Sequence, residues 1–290
     1  MKRYKKVNVP APKHLPIALL AGRGELPRLL IEIFQSQSRP FVVLAFKGQT
    51  EEILLKTAPH LWLSFGEVGK ALAYLDENKI KEVVMAGAVS RPAMSEIRPD
   101  WEGVKWLAKI GTKALGDDTL LRSIMEMIEE RGYRVIAPHD ILEDLLVPEG
   151  TLTSLEPDEQ AWRDIGRGVE ILSALSPVDV GQAVVVQEGL ILGIEAIEGT
   201  DALMSRVGSL QRPGLGGVLV KIAKSQQDQR ADLPTIGPET IYRAAEAGLR
   251  GIAIQAGRTL LLKQKETVQL AQEKGLFLVS LGHVQCRLLL

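Results

Sequence analysis

From residue 16 onward, short unbroken apolar runs alternate with longer amphipathic segments. This alternation is the feature that most narrows the fold. "PIALLAG", "PFVVLAF", "LWLSFG" and "EVVMAGAV" hold very few polar residues. A strand that is apolar on both faces must be covered on both faces, which is the situation of a parallel sheet flanked by helices. The intervening "RLLIEIFQSQS", "EVGKALAYLDENK" and "GDDTLLRSIMEMIEERG" have helical spacing, the last with Asp117 or Asp118 placed as its cap. "YRVIAPHDIL" returns as a strand. Residues 16–147 are therefore expected to form a Rossmann-like, doubly wound α/β domain suited to a nucleotide.

The rhythm breaks at "LVPEGTLTSLEPDE", where Pro, Gly, Thr, Ser and acids replace large apolar residues, so 148–157 are expected to be a linker. A helix over about 158–175 opens the second domain, 158–290. "QAVVVQEGLILGIEAIEG" carries a hairpin signal at Gln187-Glu188-Gly189. "GGVLVKIAK", "GIAIQAG", "TLLLK" and "LFLVSL" read as further strands, and "GPETIYRAAEAGLRG" as a helix with Pro238 near its start. Hairpin neighbours beside crossover strands predict a mixed sheet, so this domain is expected to be α/β as well, and catalytic. Thr200 or Asp201 is placed to cap the helix "ALMSRVGSL".

Composition removes several function classes. Lysine and arginine number 35 against 36 acids, a net charge of −1, so no overall field attracts nucleic acid. Aromatic residues are 4 %, too few for a base-stacking platform. Cys286 is the lone cysteine, and the four histidines are scattered, which speaks against a disulfide framework and a structural zinc site. No apolar run has the roughly 20 residues that span a bilayer. Residues 1–15 are expected to be a basic tail rather than a secretory signal; either fraying or weak attraction to anionic lipid is consistent with their charge.

Five stretches have residues that chemistry could use. In "AGRGELP", Gly22 and Gly24 sit at a strand-to-helix turn, where backbone N–H groups can approach a phosphate. Pro27 stands where a dinucleotide fingerprint has its third glycine, so a plain tight turn fits equally well. In "MAGAVSRP", Gly87, Ser90 and Arg91 follow a strand's carboxyl end, either as ligand contacts or as an ordinary loop. "GDDTLL" places two acids at a helix start, of which capping explains one. "IEAIEGTDALMSR" spaces Glu195, Glu198 and Asp201 three apart, with Glu195 ending a strand, Glu198 in the turn and Asp201 opening a helix. Capping accounts for Thr200 or Asp201 but not for Glu195 in an apolar strand; magnesium, which prefers oxygen ligands, is one explanation. "AKSQQDQRADLPTIG" brings Lys224, Asp228, Arg230, Asp232 and Thr235 into one loop, a solvated charge run or a phosphate or metal site. Pro234 and Gly237 restrict where Asp232 can point.

"EAIEGTDALMSR" and "RADLPTIGPETI" resemble signature segments of the UDP-2,3-diacylglucosamine pyrophosphatase family of lipid A biosynthesis, the type without a metallophosphoesterase fold. "LLAGRGELP", "AGAVSRP" and "GDDTLLR" resemble that family's amino-terminal half, and the segments occur in order from about residue 16 to 282. The resemblance implies two domains with the site between them. It implies hydrolysis of the substrate to UMP and 2,3-diacylglucosamine 1-phosphate, with water on the α-phosphorus and dependence on magnesium (or manganese). It makes Asp232 the essential aspartate. Asp232 alone takes its role from the resemblance; from the residue chemistry, Lys224 and Arg230 are expected to be catalytic beside it by neutralising phosphate oxygens, and Asp232, Glu195, Glu198 and Asp201 to surround the metal. Gly22, Gly24, Gly87, Ser90, Arg91, Thr200 and Thr235 are expected to meet the substrate. Asp232 fits metal ligation somewhat better than general-base work, because an ordinary aspartate, with a pKa of about 3.9, is a poor base at neutral pH. Two acyl chains imply a cytoplasmic enzyme, peripheral at the inner membrane; a homodimer is compatible with all of this. A nicotinamide-dependent oxidoreductase using "AGRGELP" and a non-catalytic binder of nucleotide-sugar lipids are the competing readings.

Overall fold

The computed structural model describes residues 15–90, 93, 96–110, 117–225, 228–230, 232–282, 285 and 286, leaving out the side chains of 110, 117–119 and 143. The basic tail up to residue 14, and the capping of the fourth helix by Asp117 or Asp118, lie outside the described residues. The chain divides into two compact units, one holding the described residues up to 110 with 123–136, the other holding 117–122 and the described residues from 137 onward.

The first unit runs β1 (Ile17–Ala21), α1 (Glu25–Ser36), β2 (Phe41–Phe46), β3 (His60–Leu63), α2 (Val68–Glu77), β4 (Glu82–Ala86), α3 (Trp101–Ile110), α4 (Asp117–Glu130, divided between the units) and β5 (Arg134–Ile136). Its five strands lie in the order β3-β2-β1-β4-β5, every pairing parallel. This is the doubly wound order that the continuous apolar runs predict: β1 and β4 are buried along nearly their whole length. Strand order reverses between β1 and β4, so the loops leaving these two strands flank the place where such sheets hold ligands.

The second unit contains β6 (Gly150–Thr151), α5 (Glu159–Leu175), β7 (Ala183–Gln187), β8 (Leu190–Ile194), α6 (Gly199–Val207), β9 (Val218–Lys221), β10 (Thr235–Ile236), α7 (Pro238–Glu246), β11 (Gly251–Gln255), β12 (Leu260–Leu261), α8 (Gln264–Glu273) and β13 (Phe277–Leu281). The main sheet has the order β6-β13-β11-β9-β7-β8, and β10 pairs with β12 in a small sheet of their own. β9, β11 and β13 are parallel, whereas β7 runs antiparallel to both β8 and β9, which makes the sheet mixed. The β7–β8 turn is built as its sequence predicts, with Glu188 and Gly189 both at positive φ. The buried Asp164 carboxylate clamps it by accepting from Gly189 N at 2.7 Å and Glu188 N at 3.2 Å.

Side chains alternate across this sheet with period two. Val184, Val186, Val218, Val220, Ala253 and Val279 pack under α5. Ala183, Val185, Leu219, Ile252, Ile254 and Leu278 pack under α6, α7 and α8. The stretch 148–157, expected as a linker, is tied into this sheet. β6 pairs antiparallel with β13, Leu152 N donates to Leu278 O at 2.8 Å, and the buried Thr153 hydroxyl accepts from Leu278 N at 2.9 Å. Pro, Gly and Thr are common to linkers and short edge strands, so composition does not separate the two. Among the described residues no helix is long and apolar enough to cross a membrane.

Candidate active site

In the first unit, the loops after β1 and β4 are pressed together backbone to backbone. Gly22 N donates to Ala86 O at 2.8 Å, and Arg23 and Ala88 exchange a pair of hydrogen bonds. A Cβ on Gly22 would stand 2.6 Å from Ala88 O, and one on Gly87, whose φ is +91°, would stand 2.6 Å from Arg23 O. Glycine is thus required at both positions by the chain itself. Gly24, at φ +99° before α1, has open space around it, and its N–H faces Glu51 Oε1 at 3.3 Å. Ser90 accepts from Arg23 at 2.5 Å, and its N–H donates to Gln49 Oε1 at 2.8 Å. Gly22, Gly24, Gly87 and Ser90 are accordingly gathered at one end of one sheet, while Arg91 lies outside the described residues.

The second unit gathers its charges at the carboxyl ends of β8 and β9, which point the same way because each is antiparallel to β7. Glu195 follows β8 directly and is 6 % exposed. Its two oxygens accept from Gln182 N at 2.8 Å and from the Thr200 hydroxyl at 2.5 Å. That hydroxyl in turn accepts from Lys221 Nζ at 2.9 Å, and the same ammonium donates to the backbone oxygen of Thr235 at 3.0 Å. Lys221 is the last residue of β9 and shares the parity of Leu219, so it belongs to the face covered by α6–α8. It is 6 % exposed. Burial pushes its ammonium below its ordinary value, while Glu195 first, then Asp232 and Asp201, pull it back toward the charged form. Asp232 is half-buried in the loop that leads to β10.

The remaining expected residues have other partners. Glu198 binds Arg206 at 2.8 Å, and its own backbone N–H, ahead of Arg206, holds its carboxyl below the ordinary range. Asp201 is exposed and faces Arg243 at 3.5 Å. Neither Thr200 nor Asp201 caps α6: the helix begins at Gly199, at φ +81°, so Glu198 takes the cap position and Thr200 lies inside the first turn with its hydroxyl spent on Glu195. Among the described residues no three His, Cys, Asp or Glu side chains converge as metal ligands. Glu195 is turned inward, and Glu198 and Asp201 are paired with arginines. Lys224 and Arg230, expected to face phosphate, are ion-paired with Asp179 and with Asp228, the latter at 2.9 Å. Arg230 is the main reason that the Asp228 carboxyl lies below its ordinary value. Thr235 contributes its backbone oxygen to Lys221, and its hydroxyl is turned to Leu233 O at 3.1 Å.

Lys221 is the residue the sequence does not single out. A lysine closing a short apolar strand reads as a strand end meeting water; its parity with Leu219 is the signal that could have found it.

Family models cover both units: the LpxI N-terminal domain matches residues 16–145 and the LpxI C-terminal domain matches residues 148–279. The chain is 36 % identical over 271 residues to the UDP-2,3-diacylglucosamine pyrophosphatase LpxI of Caulobacter vibrioides, a span that is 91 % of this chain and 96 % of that one. Among solved structures, the Bordetella bronchiseptica enzyme WbmG in complex with NAD overlaps 41 % of this chain and 36 % of its own at 19 % identity, with a TM-score of 0.28. A likeness that loose carries no argument about function.

Proposed function

The chain belongs to the LpxI family, and from that premise we propose that it hydrolyses UDP-2,3-diacylglucosamine to UMP and 2,3-diacylglucosamine 1-phosphate, with water attacking the α-phosphorus. The observation that carries the reading is the match to the Caulobacter pyrophosphatase across nearly the full length of both chains. The second unit's geometry suits the chemistry. Hydrolysis of a pyrophosphate asks the protein chiefly to position water and to balance concentrated negative charge. Asp232, half-buried in the loop that leads to β10 and close enough to act on the buried Lys221 ammonium, is on this reading the carboxylate that orients or deprotonates the attacking water.

A magnesium or manganese ion would meet Asp232 and complete its shell with phosphate oxygens and water, since magnesium commonly takes one or two protein carboxylates beside a substrate phosphate. Bound there, it would supply neutralisation of the phosphoryl oxygens. The uridine end suits the turn at Gly24 in the first unit, the one of these glycines that faces open space at the start of a helix. The two acyl chains make a membrane surface the natural place of work, in the cytoplasm; a homodimer is compatible with this reading.

The test is release of UMP from UDP-2,3-diacylglucosamine in detergent, with magnesium and with EDTA. UMP that appears with magnesium and disappears with EDTA supports the reading. Tight binding without turnover leaves a nucleotide-sugar-lipid binder, and a fluorescent reduced cofactor on the purified protein leaves the oxidoreductase.

A further inference from the structure

Two segments stand out in the sequence for separate reasons, "EAIEGTDALMSR" and "RADLPTIG". In the fold one side chain joins them. Lys221 Nζ donates to Thr200 Oγ1, in the first turn of α6, and to the backbone oxygen of Thr235, three residues beyond Asp232. A threonine hydroxyl has one hydrogen to give. Thr200 gives it to Glu195 Oε1, which leaves its oxygen to accept from Lys221. Glu195 is fixed on its other side by Gln182 N. From Lys221 through Thr200 to Glu195 and Gln182, donors and acceptors are matched, and every link is buried or half-buried.

Packing does not require this arrangement. Position 221 faces the same apolar layer as Leu219, and an aliphatic residue there would fill space without the cost of desolvating an ammonium, several kcal/mol by general estimate. A buried cation that ties together the loops following β8 and β9, the strands on either side of β7, fixes the relation between those loops. Positioning of this kind matters for catalysis because a misplacement of about 1 Å costs on the order of 100-fold in rate.

We propose that Lys221 is a positioning residue of the hydrolase: through Thr200 and the Thr235 carbonyl it holds the first turn of α6 against the Asp232 turn, and so sets the Asp232 carboxylate where the pyrophosphate reacts. Lys221 does not itself touch substrate; it acts through its partners. The proposal rests on the hydrolase reading above.

The experiment compares Lys221→Met, Thr200→Val and the double variant, with kcat and KM for UDP-2,3-diacylglucosamine measured separately and thermal melting as the control for folding. In Lys221→Met, kcat falls at least about 30-fold while KM stays within about threefold, the pattern of an interaction that serves the reaction step rather than binding. Thr200→Val loses about tenfold, and Thr200→Ser, which keeps the hydroxyl, recovers most of that. The double variant is no worse than Lys221→Met by more than about twofold, because the two residues act along one path. A folded Lys221→Met with turnover within about threefold of wild type overturns the proposal, and so do losses that simply multiply in the double variant. Should Lys221→Met fail to fold, Thr200→Val decides alone, and unchanged kcat there overturns the proposal. A wild-type protein that releases no UMP removes the hydrolase reading and this proposal together; an active wild type with an active Lys221→Met removes this proposal only.

Discussion

The two units prepare the ends of their sheets by opposite means. In the first, the loops leaving β1 and β4 approach until only glycine fits at Gly22 and Gly87, their backbone groups bond to one another, and the side chains of Arg23, Gln49 and Ser90 tie them further. In the second, the loops leaving β8 and β9 are tied together by a buried charge, with Lys221, Thr200 and Glu195 joined in one chain of hydrogen bonds. Backbone approach gives a surface that fits a ligand without reacting. Buried charges, fixed by partners, give the oriented field that phosphoryl transfer needs. On the proposed reading the first unit serves recognition and the second chemistry, and that division can be broken at either end.

The largest expected effect is at Asp232. Asp232→Ala keeps the fold and loses at least about 100-fold in kcat, about 2.7 kcal/mol of barrier, measured by UMP release. Turnover near wild type removes Asp232 from the mechanism.

Next comes the glycine pair. Gly22→Ala places a Cβ within 2.6 Å of a carbonyl oxygen. It destabilises the protein by about 2–4 kcal/mol, read as a lowered denaturant midpoint. Gly24→Ala meets open space but must hold φ +99° with ψ −172°, a region essentially confined to glycine, at about 1–3 kcal/mol. A loss below about 1 kcal/mol at Gly22→Ala would mean that the loop contact is not what demands glycine.

Glu198 tests the composition of the second site. Glu198→Gln removes a charge already spent on Arg206 at the surface, so turnover stays within about threefold. A loss of about tenfold or more returns Glu198 to the reacting centre.

The smallest effect is a pH dependence in the first unit. Burial first, and then the hydrogen bond to Asp76 at 2.6 Å, push the Tyr133 hydroxyl up to about 12. Its folded pKa is above the ordinary value of about 10, so its contribution is complete below pH about 10 and is lost as pH rises toward about 12. Tyr133→Phe therefore shows a deficit of about 1 kcal/mol near neutrality that shrinks across that alkaline window, measured by urea melts against wild type. A deficit constant with pH contradicts the assignment.

The architecture was largely legible because it follows from local pattern. Unbroken apolar strands announced the parallel sheet, Glu188-Gly189 announced the hairpin, and Pro238 marked the start of α7. Glu195 was legible as an oddity, an acid ending an apolar strand, and it is indeed buried and fully bonded. What escaped depends on contacts remote in sequence. Lys224 looked available for phosphate because nothing near it in the chain hints at Asp179. The ion pairs of Glu198 with Arg206 and of Asp201 with Arg243 likewise exist only once the chain is folded. The turn around Gly150 looked like a linker because its partner, β13, comes at the far end of the unit. Lys221 escaped because its role exists only once α6 and the Asp232 turn cover the same face of the sheet.

The measurement that tests the central claim most directly is hydrolysis of UDP-2,3-diacylglucosamine in ¹⁸O-labelled water, followed by mass analysis of both products. Water delivered to the α-phosphorus leaves the label in UMP, which is the result predicted here. Label in the sugar phosphate would place the attack on the other phosphorus, and no labelled product at all would contradict hydrolysis itself.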